Sequence, residues 1–172
     1  QAAIEYFKYY VNKLKRKHSK IYVLKCDISK YFYSIDHEIL FKKIWDLVSD
    51  KDLQNIIKDI IWSTNKEDIN LKIDKVVQNE INRLKKNKNR IEELHKIPHY
   101  EKGKGLPIGN MSSQVLALLY LNSLDHYIKE ELNIKYYIRY MDDFLLFHQD
   151  KEYLKFCEIK IKEKIKELKL TL

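Results

Sequence analysis

Asp142 and Asp143 are adjacent carboxylates in the middle of an apolar and aromatic segment, residues 136–147. β-Branched and aromatic residues favour a strand on each side of the pair, which predicts a hairpin with the two acids at or beside its tip. Neighbouring carboxylates repel each other, so a fold that holds them together usually supplies a counter-charge. Mg²⁺ is a suitable one because it prefers hard oxygen ligands combined with substrate phosphates. The alternative is a solvated Asp-Asp turn, although such turns are seldom flanked by so much apolar sequence.

Asp27 is a third acid in a setting that suggests chemistry. It follows residues 21–26, a mostly apolar run that predicts a buried strand. A carboxylate at that position is costly unless it is paired or bound to a metal, and open sheets place their chemistry at the carboxyl ends of strands. A helix N-cap is the structural alternative for Asp27. Phe32, five residues later, is close enough to fold over whatever Asp27 binds, and it could also serve core packing.

The composition describes a single basic domain. The 172 residues include 33 Lys and Arg against 25 Asp and Glu, a net charge of +8 that fits a polyanionic partner. Cys26 and Cys157 are isolated, so neither a zinc site nor a disulfide framework is predicted. There is no apolar run near the ~18 residues of a membrane span and no signal-peptide pattern, so we expect a cytoplasmic protein without a membrane partner. The sequence begins at Gln1 and stops in a strand-like stretch, 168–172, from which we expect a piece of a larger protein.

Helical periodicity predicts the elements that must position these acids. Residues 1–17 form an amphipathic helix, and its basic end is either a solvated face or a backbone-phosphate contact. Residues 37–48 and 50–62 predict two scaffold helices, the second capped by Ser49 with Asp52 in its first turn. Residues 63–100 are charged and predict a helical insertion. Its basic side either touches nucleic acid or is solvated; the residues concerned are Arg83, Lys85, Lys86, Lys88, Arg90 and Lys96.

The second half of the chain begins with a loop, 103–110, that holds all three glycines of the sequence. Such a concentration marks a backbone-defined loop that permits close approach by another group. It lacks the spacing of a Walker loop. A long helix is predicted over 111–131, with Val115, Leu118, Leu119 and Ile128 in its apolar stripe. The hairpin follows, and then an amphipathic helix with Leu154, Cys157, Ile161, Ile165 and Leu168 facing the sheet. The order of elements predicts an α+β sheet domain.

The motifs in combination resemble those of reverse transcriptases. Asp27-x4-Phe32, the segment 105–114 and Tyr140-Met141-Asp142-Asp143 are similar to motifs A, B and C of that family, in the family's order. The resemblance implies a polymerase palm, an antiparallel sheet with packed helices, plus part of the fingers and no thumb. It divides the chain into a fingers-side helix (1–20), palm strand and helices (21–62), a charged insertion (63–100) and the rest of the palm (101–172).

The same resemblance assigns roles to individual residues. Asp27, Asp142 and Asp143 are the catalytic acids, and the backbone carbonyl of Ile28 joins them in binding two Mg²⁺ ions, with Mn²⁺ a possible substitute. Two such ions clamp the attacking and leaving oxygens of a phosphoryl displacement. Phe32 matches the gate that excludes a ribose 2′-hydroxyl, and Ile108 and Gly109 complete the dNTP site. The implied substrates are template RNA, a primer or its cDNA, and dNTPs.

Motif B carries the signal for a subgroup. Its usual form in the family is Gln-Gly-x3-Ser-Pro, whereas here it is Ile108-Gly109-x3-Ser113-Gln114. This departure resembles the enzymes of diversity-generating retroelements, which copy RNA with frequent errors at adenines and work with a small basic accessory protein. A prokaryotic or phage origin is implied. Group II intron, retron and abortive-infection enzymes are the near alternatives. A catalytically silent RNA-binding palm and a two-metal nuclease are alternatives from other classes.

Overall fold

The structure is a computed structural model that describes residues 2–84 and 87–172, and it confirms the predicted α+β class. A small antiparallel sheet is surrounded by helices. A 3-10 turn (Trp62–Asn65) follows the fourth helix and a π segment (Tyr127–Glu131) follows the eighth. The strands are β1 (Tyr22–Cys26), β2 (Tyr136–Tyr140) and β3 (Asp143–His148), and the helices are α1 (Ala2–Lys15), α2 (Tyr31–Ser34), α3 (His37–Trp45), α4 (Lys51–Ile61), α5 (Ile69–Leu84), α6 (Lys88–His95), α7 (Met111–Tyr120), α8 (Asn122–His126) and α9 (Lys151–Glu167).

The sheet has the strand order β1-β3-β2, so β3 pairs on both sides. Cys26 lies opposite Phe144 in one ladder, and Tyr140 lies opposite Asp143 in the other. The second pairing leaves Met141 and Asp142 as a two-residue loop. The hairpin predicted around the acid pair is therefore present, with Asp142 in its tip and Asp143 at the start of the returning strand.

Each face of the sheet is covered by a different helix. On one face Phe144 and Leu146 belong to the main core, where α9 packs on β1 and β3. The residues predicted to face the sheet from the last helix are all buried, so that amphipathic pattern is confirmed. On the other face Phe147 is fully buried, and its ring lies 5.5 Å from that of Phe7 in α1. The sheet is thus fixed from both sides beneath the acids at its end.

Three local predictions for helices were wrong in whole or in part. The N-cap of α4 is Asp50, whose side chain accepts a hydrogen bond from Leu53 N, and Ser49 lies outside the helix. Of the predicted stripe, Ile128 is buried and Leu119 is half-buried, but Val115 and Leu118 are exposed. The buried face of α7 is Ser113, Leu116, Ala117 and Tyr120. This helix is apolar on most sides, so periodicity could not single out the face that packs. The single helix predicted over 111–131 is instead α7, α8 and the π segment.

The end of the chain is also not the strand that was predicted. After α9, Lys169 takes a left-handed conformation (φ 54°) and Leu170 N bonds the carbonyl of Ile165 at 3.1 Å, which closes the helix. The chain then runs past the segment that follows β1, where Ser29 N donates to Thr171 O at 2.9 Å. Leu168 and Leu170 are buried, so the apolar pattern at 168–172 reflects core packing without sheet pairing.

The charged segment 63–100 forms α5 and α6, which pack on each other, and none of the described residues of either helix is buried. Its described basic residues, Arg83, Lys88, Arg90 and Lys96, are exposed, as either a solvated face or a phosphate contact requires. Lys85 and Lys86, which belong to the same predicted basic side, lie outside the described residues. Within the described ranges, the helices are all too short or too polar to cross a membrane.

Candidate active site

The three acids lie at one end of the sheet. Asp27 directly follows β1, and continuing the register of Cys26 with Phe144 by one residue sets Asp27 opposite Asp143. Asp142 occupies the adjoining loop. Asp27 and Asp143 are exposed, whereas Asp142 is half-buried. The strand end and the hairpin tip, which are more than 100 residues apart in the sequence, are therefore neighbours.

The charges at this end of the sheet influence one another. Burial raises the pKa of the Asp142 carboxyl above its ordinary value, and the neighbouring charges of Asp27 and Asp143 raise it further. Lys25 provides a partial counter-charge, with its Nζ 3.5 Å from Asp143 Oδ1. Both side chains of that pair are exposed, so the contact itself contributes little stability.

A preformed cage of three or more acidic, His or Cys ligands does not occur anywhere in the described parts of the chain. Ile28 follows Asp27 and its hydrocarbon side chain is buried in the core, so only its backbone carbonyl could serve as an oxygen ligand. Any ion there must combine one or two carboxylates with ligands from outside the protein. Mg²⁺ in phosphoryl-transfer sites is commonly held in this way.

The hairpin that carries Asp142 is anchored by Arg139, which the sequence patterns did not single out. Its Nε donates to Asp125 Oδ1 at 2.7 Å, its Nη2 pairs with Asp125 Oδ2, and its Nη1 donates to the carbonyl of Met141 at 2.9 Å. Tyr137 also donates to Asp125 Oδ1, at 2.7 Å. An Arg inside an aromatic strand was the only sequence signal, because Asp125 lies on a helix 14 residues earlier.

The glycine loop lies against the segment that follows Asp27. Leu106 N donates to Phe32 O at 2.8 Å and Gly105 N donates to Ile35 O at 2.8 Å. Asp36 and Lys104 form an isolated antiparallel bridge. These backbone bonds join the predicted motif A and motif B segments, whose proximity in space the sequence could only suggest.

Two buried polar side chains hold the carbonyl of Gly105, and both were missed at the sequence level. His37 Nε2 lies 2.7 Å from this oxygen, and Thr64 Oγ1 donates to it at 2.9 Å. His37 is fully buried and its Nδ1 has no hydrogen-bond partner. Burial lowers the pKa of the His37 imidazole, so the ring is neutral and Nε2 carries the proton that Gly105 accepts.

Gly105 itself is required by both backbone angle and space. Its φ is +88°, and a Cβ there would lie 2.5 Å from Cδ1 of Tyr100. The same loop ends in Ile108 and Gly109, which are exposed. Phe32 is half-buried, with its ring edge-on to Tyr31 at 5.8 Å. Of the predicted nucleotide-facing residues, Ile108 and Gly109 thus lie at the end of this loop, and Phe32 is joined to the loop through its backbone carbonyl.

Acids gathered at one end of an antiparallel sheet, with a glycine loop hydrogen-bonded to the segment that follows one of them, are typical of nucleotidyltransferases of the polymerase class. Residues 1–172 match the family model described as reverse transcriptase (RNA-dependent DNA polymerase), and the chain belongs to that family. Enzymes of this family act on template nucleic acid and nucleotides and generally use divalent metals. Among curated proteins, none is similar enough to the chain to count as a match.

Proposed function

We propose that this domain copies an RNA template into DNA, with Asp27, Asp142 and Asp143 as its catalytic carboxylates. The observation that carries the proposal is the sheet register, which sets Asp27 opposite Asp143 and leaves Asp142 in the adjoining two-residue loop. Carboxylates from two separate elements of the fold therefore lie close together, and the contact with Lys25 balances their negative charge only in part. Such an arrangement is stabilised by a divalent ion and the phosphates it binds.

The donor set fits Mg²⁺, and Mn²⁺ accepts the same hard oxygen ligands. We assign Asp27, Asp142 and the carbonyl of Ile28 as direct ligands, with Asp143 completing the acidic cluster. When bound, divalent ions stabilise the charge on the attacking and leaving oxygens of phosphoryl transfer. The half-buried Asp142 is held by a hairpin whose backbone is tied to α8, so the protein contributes a fixed edge on which substrate phosphates complete the coordination.

Phe32, Ile108 and Gly109 supply the proposed nucleotide-facing surface. Phe32 is the wall under the sugar, and its carbonyl is bonded to the loop that ends in Ile108 and Gly109. Phe32 and the glycine loop are therefore fixed in position relative to each other. Ile108 is 59% exposed, so its apolar side chain is accessible to a ligand at the end of this loop. We assign Ile108 to packing against the incoming nucleotide or its template partner.

Within the family, we propose the diversity-generating retroelement type. The support is Ile108-Gly109-x3-Ser113-Gln114 at motif B, where an apolar residue stands in place of the usual Gln. Such an enzyme would misincorporate opposite template adenines and bind a small basic accessory protein. The type is tested by sequencing cDNA made on a defined RNA template. Errors spread evenly over all four template bases would favour a group II intron, retron or abortive-infection type.

Primer extension on an RNA template with Mg²⁺ and dNTPs tests the main proposal. Asp27→Asn and Asp142→Asn keep shape but remove charge, and each should lower the rate by roughly a thousandfold, since metal ions supply several kcal/mol of charge stabilisation. Asp59→Asn, an exposed acid on α4, is the matched control and should retain wild-type activity. Near wild-type extension by a folded Asp27→Asn variant would remove this acid from the active site.

The same assay separates the alternatives from other classes. A wild-type protein that binds RNA but extends no primer in Mg²⁺ or Mn²⁺ would be a silent palm. Shortening of the primer or template, abolished by Asp142→Asn, would identify a nuclease. Extension dependent on dNTPs and on the acids is the result expected here.

A further inference from the structure

The ion pair of Arg139 with Asp125 differs from the other ion pairs in the described chain because both of its side chains are largely buried. Arg139 is 10% exposed and Asp125 23%, whereas each other pair has at least one partner that is more than one-third exposed. Burying two charges is rarely favourable for stability alone, because desolvation offsets most of the attraction. A buried pair at this position therefore calls for another explanation.

The position of the ion pair in the fold provides that explanation. Arg139 is in β2 and Asp125 is in α8. Besides that carboxylate, the guanidinium donates to the carbonyl of Met141 in the hairpin loop, at 2.9 Å, and more distantly to the carbonyl of Leu118 in α7, at 3.5 Å. The Met141 carbonyl belongs to the peptide unit that joins Met141 to Asp142. Fixing its direction fixes the plane of the peptide on which the Asp142 side chain is carried.

The loop needs such a support. Met141 has a φ of 56°, a conformation that a residue with a side chain adopts only at an energetic cost. A conformation of this kind persists when its surroundings over-determine it, and it is common at functional sites. Here the surroundings are the two-residue turn itself and the Arg139 contact.

We propose that Arg139 is a positioning residue for the acidic turn, holding the Met141–Asp142 peptide in the orientation in which Asp142 can bind a divalent ion. This inference rests on the proposed function. Asp125 is the anchor, since it receives two donors of Arg139 in a fork and a third from Tyr137. Arg suits the role because its planar group reaches a carboxylate on one side and a carbonyl on the other, which an ammonium cannot do.

Metal binding without turnover tests the inference directly. Mn²⁺ is titrated into the protein with a dNTP but no primer, and free Mn²⁺ is followed by electron paramagnetic resonance. Arg139→Lys keeps the positive charge but loses the fork, and we expect its Mn²⁺ dissociation constant to rise about tenfold or more, as for other residues that orient metal ligands. Asp125→Asn leaves the contact from Arg139 to the Met141 carbonyl available, so we expect a smaller rise in the Mn²⁺ dissociation constant.

A second variant separates positioning from fold stability. Arg139→Met, Asp125→Leu and Tyr137→Phe together remove every polar side chain of the cluster, so this variant should regain the thermal stability that is lost when one partner alone is replaced. The Met141 carbonyl stays unheld, and Mn²⁺ affinity should remain weakened. Wild-type affinity in Arg139→Lys, or recovery of both stability and affinity in the triple variant, would overturn the inference and leave the proposed function standing. If the wild type itself neither binds Mn²⁺ nor extends a primer, both are overturned.

Discussion

The carbonyl of Phe32 accepts a 2.8 Å hydrogen bond from the backbone N–H of Leu106, so the wall proposed to lie under the sugar is tied to the glycine loop. A second bond, from Gly105 N to Ile35 O, repeats the connection three residues further along. The loop is thereby fixed to residues 32–36, in the segment that follows Asp27. A change in the backbone of the glycine loop should therefore displace Phe32 as well as the loop itself.

Gly105→Ala should destabilise the protein and reduce activity. The residue has φ +88°, where a side chain costs roughly 1–2 kcal/mol. In addition its Cβ would lie 2.5 Å from the ring of Tyr100, which is held by a hydrogen bond to Leu106 O. We expect a loss of more than about 2 kcal/mol in total. Urea unfolding measures it.

Gly103→Ala is the matched control for that change. Gly103 has a similar φ, +78°, but nothing lies within 4 Å of its Cβ position. It should show only the loss due to backbone strain, about 1–2 kcal/mol. Equal losses at the two glycines would mean that the contact with Tyr100 is relieved without penalty.

His37 should make stability depend on pH in the mildly acidic range. Burial lowers its pKa in the folded protein, while the unfolded chain takes up a proton near the ordinary value of 6.5. The unfolded state then binds more protons than the native state, so stability falls as pH drops below about 6.5. Asp36 and Glu38 oppose the shift by favouring the charged ring, but burial dominates.

Unfolding free energies between pH 5 and 7.5 check this prediction. His37→Gln should be less stable than wild type at pH 7.5 but should lose less stability on acidification, because Gln does not titrate. His126→Gln is a suitable control, since its ring is exposed beside Glu130. Parallel curves for wild type and His37→Gln would contradict a neutral, buried role for this histidine.

The sequence predicted the placement of the acids, at a strand end and in a hairpin, because the signals for both are local. A carboxylate after an apolar strand and an acid pair inside an aromatic hairpin can both be recognised without knowing the fold. Asp125, His37 and Thr64 gave no such signal, because their partners Arg139 and the Gly105 carbonyl meet them only in the folded chain. For the same reason the packed face of α7, which presents Leu116 where Val115 was expected, could not be derived from a uniformly apolar pattern.

Asp142→Asn should raise the stability of the metal-free protein at neutral pH. Burial and the charges of Asp27 and Asp143 raise the pKa of Asp142, so its ionised form is disfavoured in the folded state. Between the ordinary carboxyl pKa and the raised pKa of Asp142, the native state binds more protons than the unfolded state. The free energy of unfolding therefore declines as pH rises through that range. Thermal unfolding in chelator should show a gain for Asp142→Asn at pH 7 that shrinks towards pH 4.

Asp59→Asn, on the exposed side of α4, is the control for removing one negative charge from this basic protein. A gain of equal size in both variants would assign the effect to net charge. A loss of stability in Asp142→Asn would mean that the carboxylate is better solvated than its burial and neighbours indicate.

Phe32→Ala should weaken the choice of deoxyribonucleotides over ribonucleotides. If the ring fills the space of a 2′-hydroxyl, removing it opens room for the ribose, and discrimination should fall by about tenfold or more, the effect of roughly 1.4 kcal/mol. The ratio of kcat/KM for dNTP and rNTP measures it. Tyr33→Ala is the control, because Tyr33 is also half-buried in α2 but its ring packs at a tilt against that of Tyr100, with the ring centres 4.8 Å apart. An unchanged ratio for Phe32→Ala would assign Phe32 to core packing.

Ile108→Gln should make synthesis more accurate. Ile108 is an exposed residue of the glycine loop, and its side chain has no donor or acceptor with which to align a substrate. Packing alone separates correct from incorrect geometry less sharply than a directed polar contact. A gain of about 1.4 kcal/mol in discrimination would lower the error ratio tenfold. Sequencing of cDNA made on one RNA template measures misincorporation opposite adenine. Ile159→Gln on α9 changes an isoleucine of matching exposure, 58%, and should leave fidelity unchanged. Equal error rates in wild type and Ile108→Gln would place the control of fidelity elsewhere.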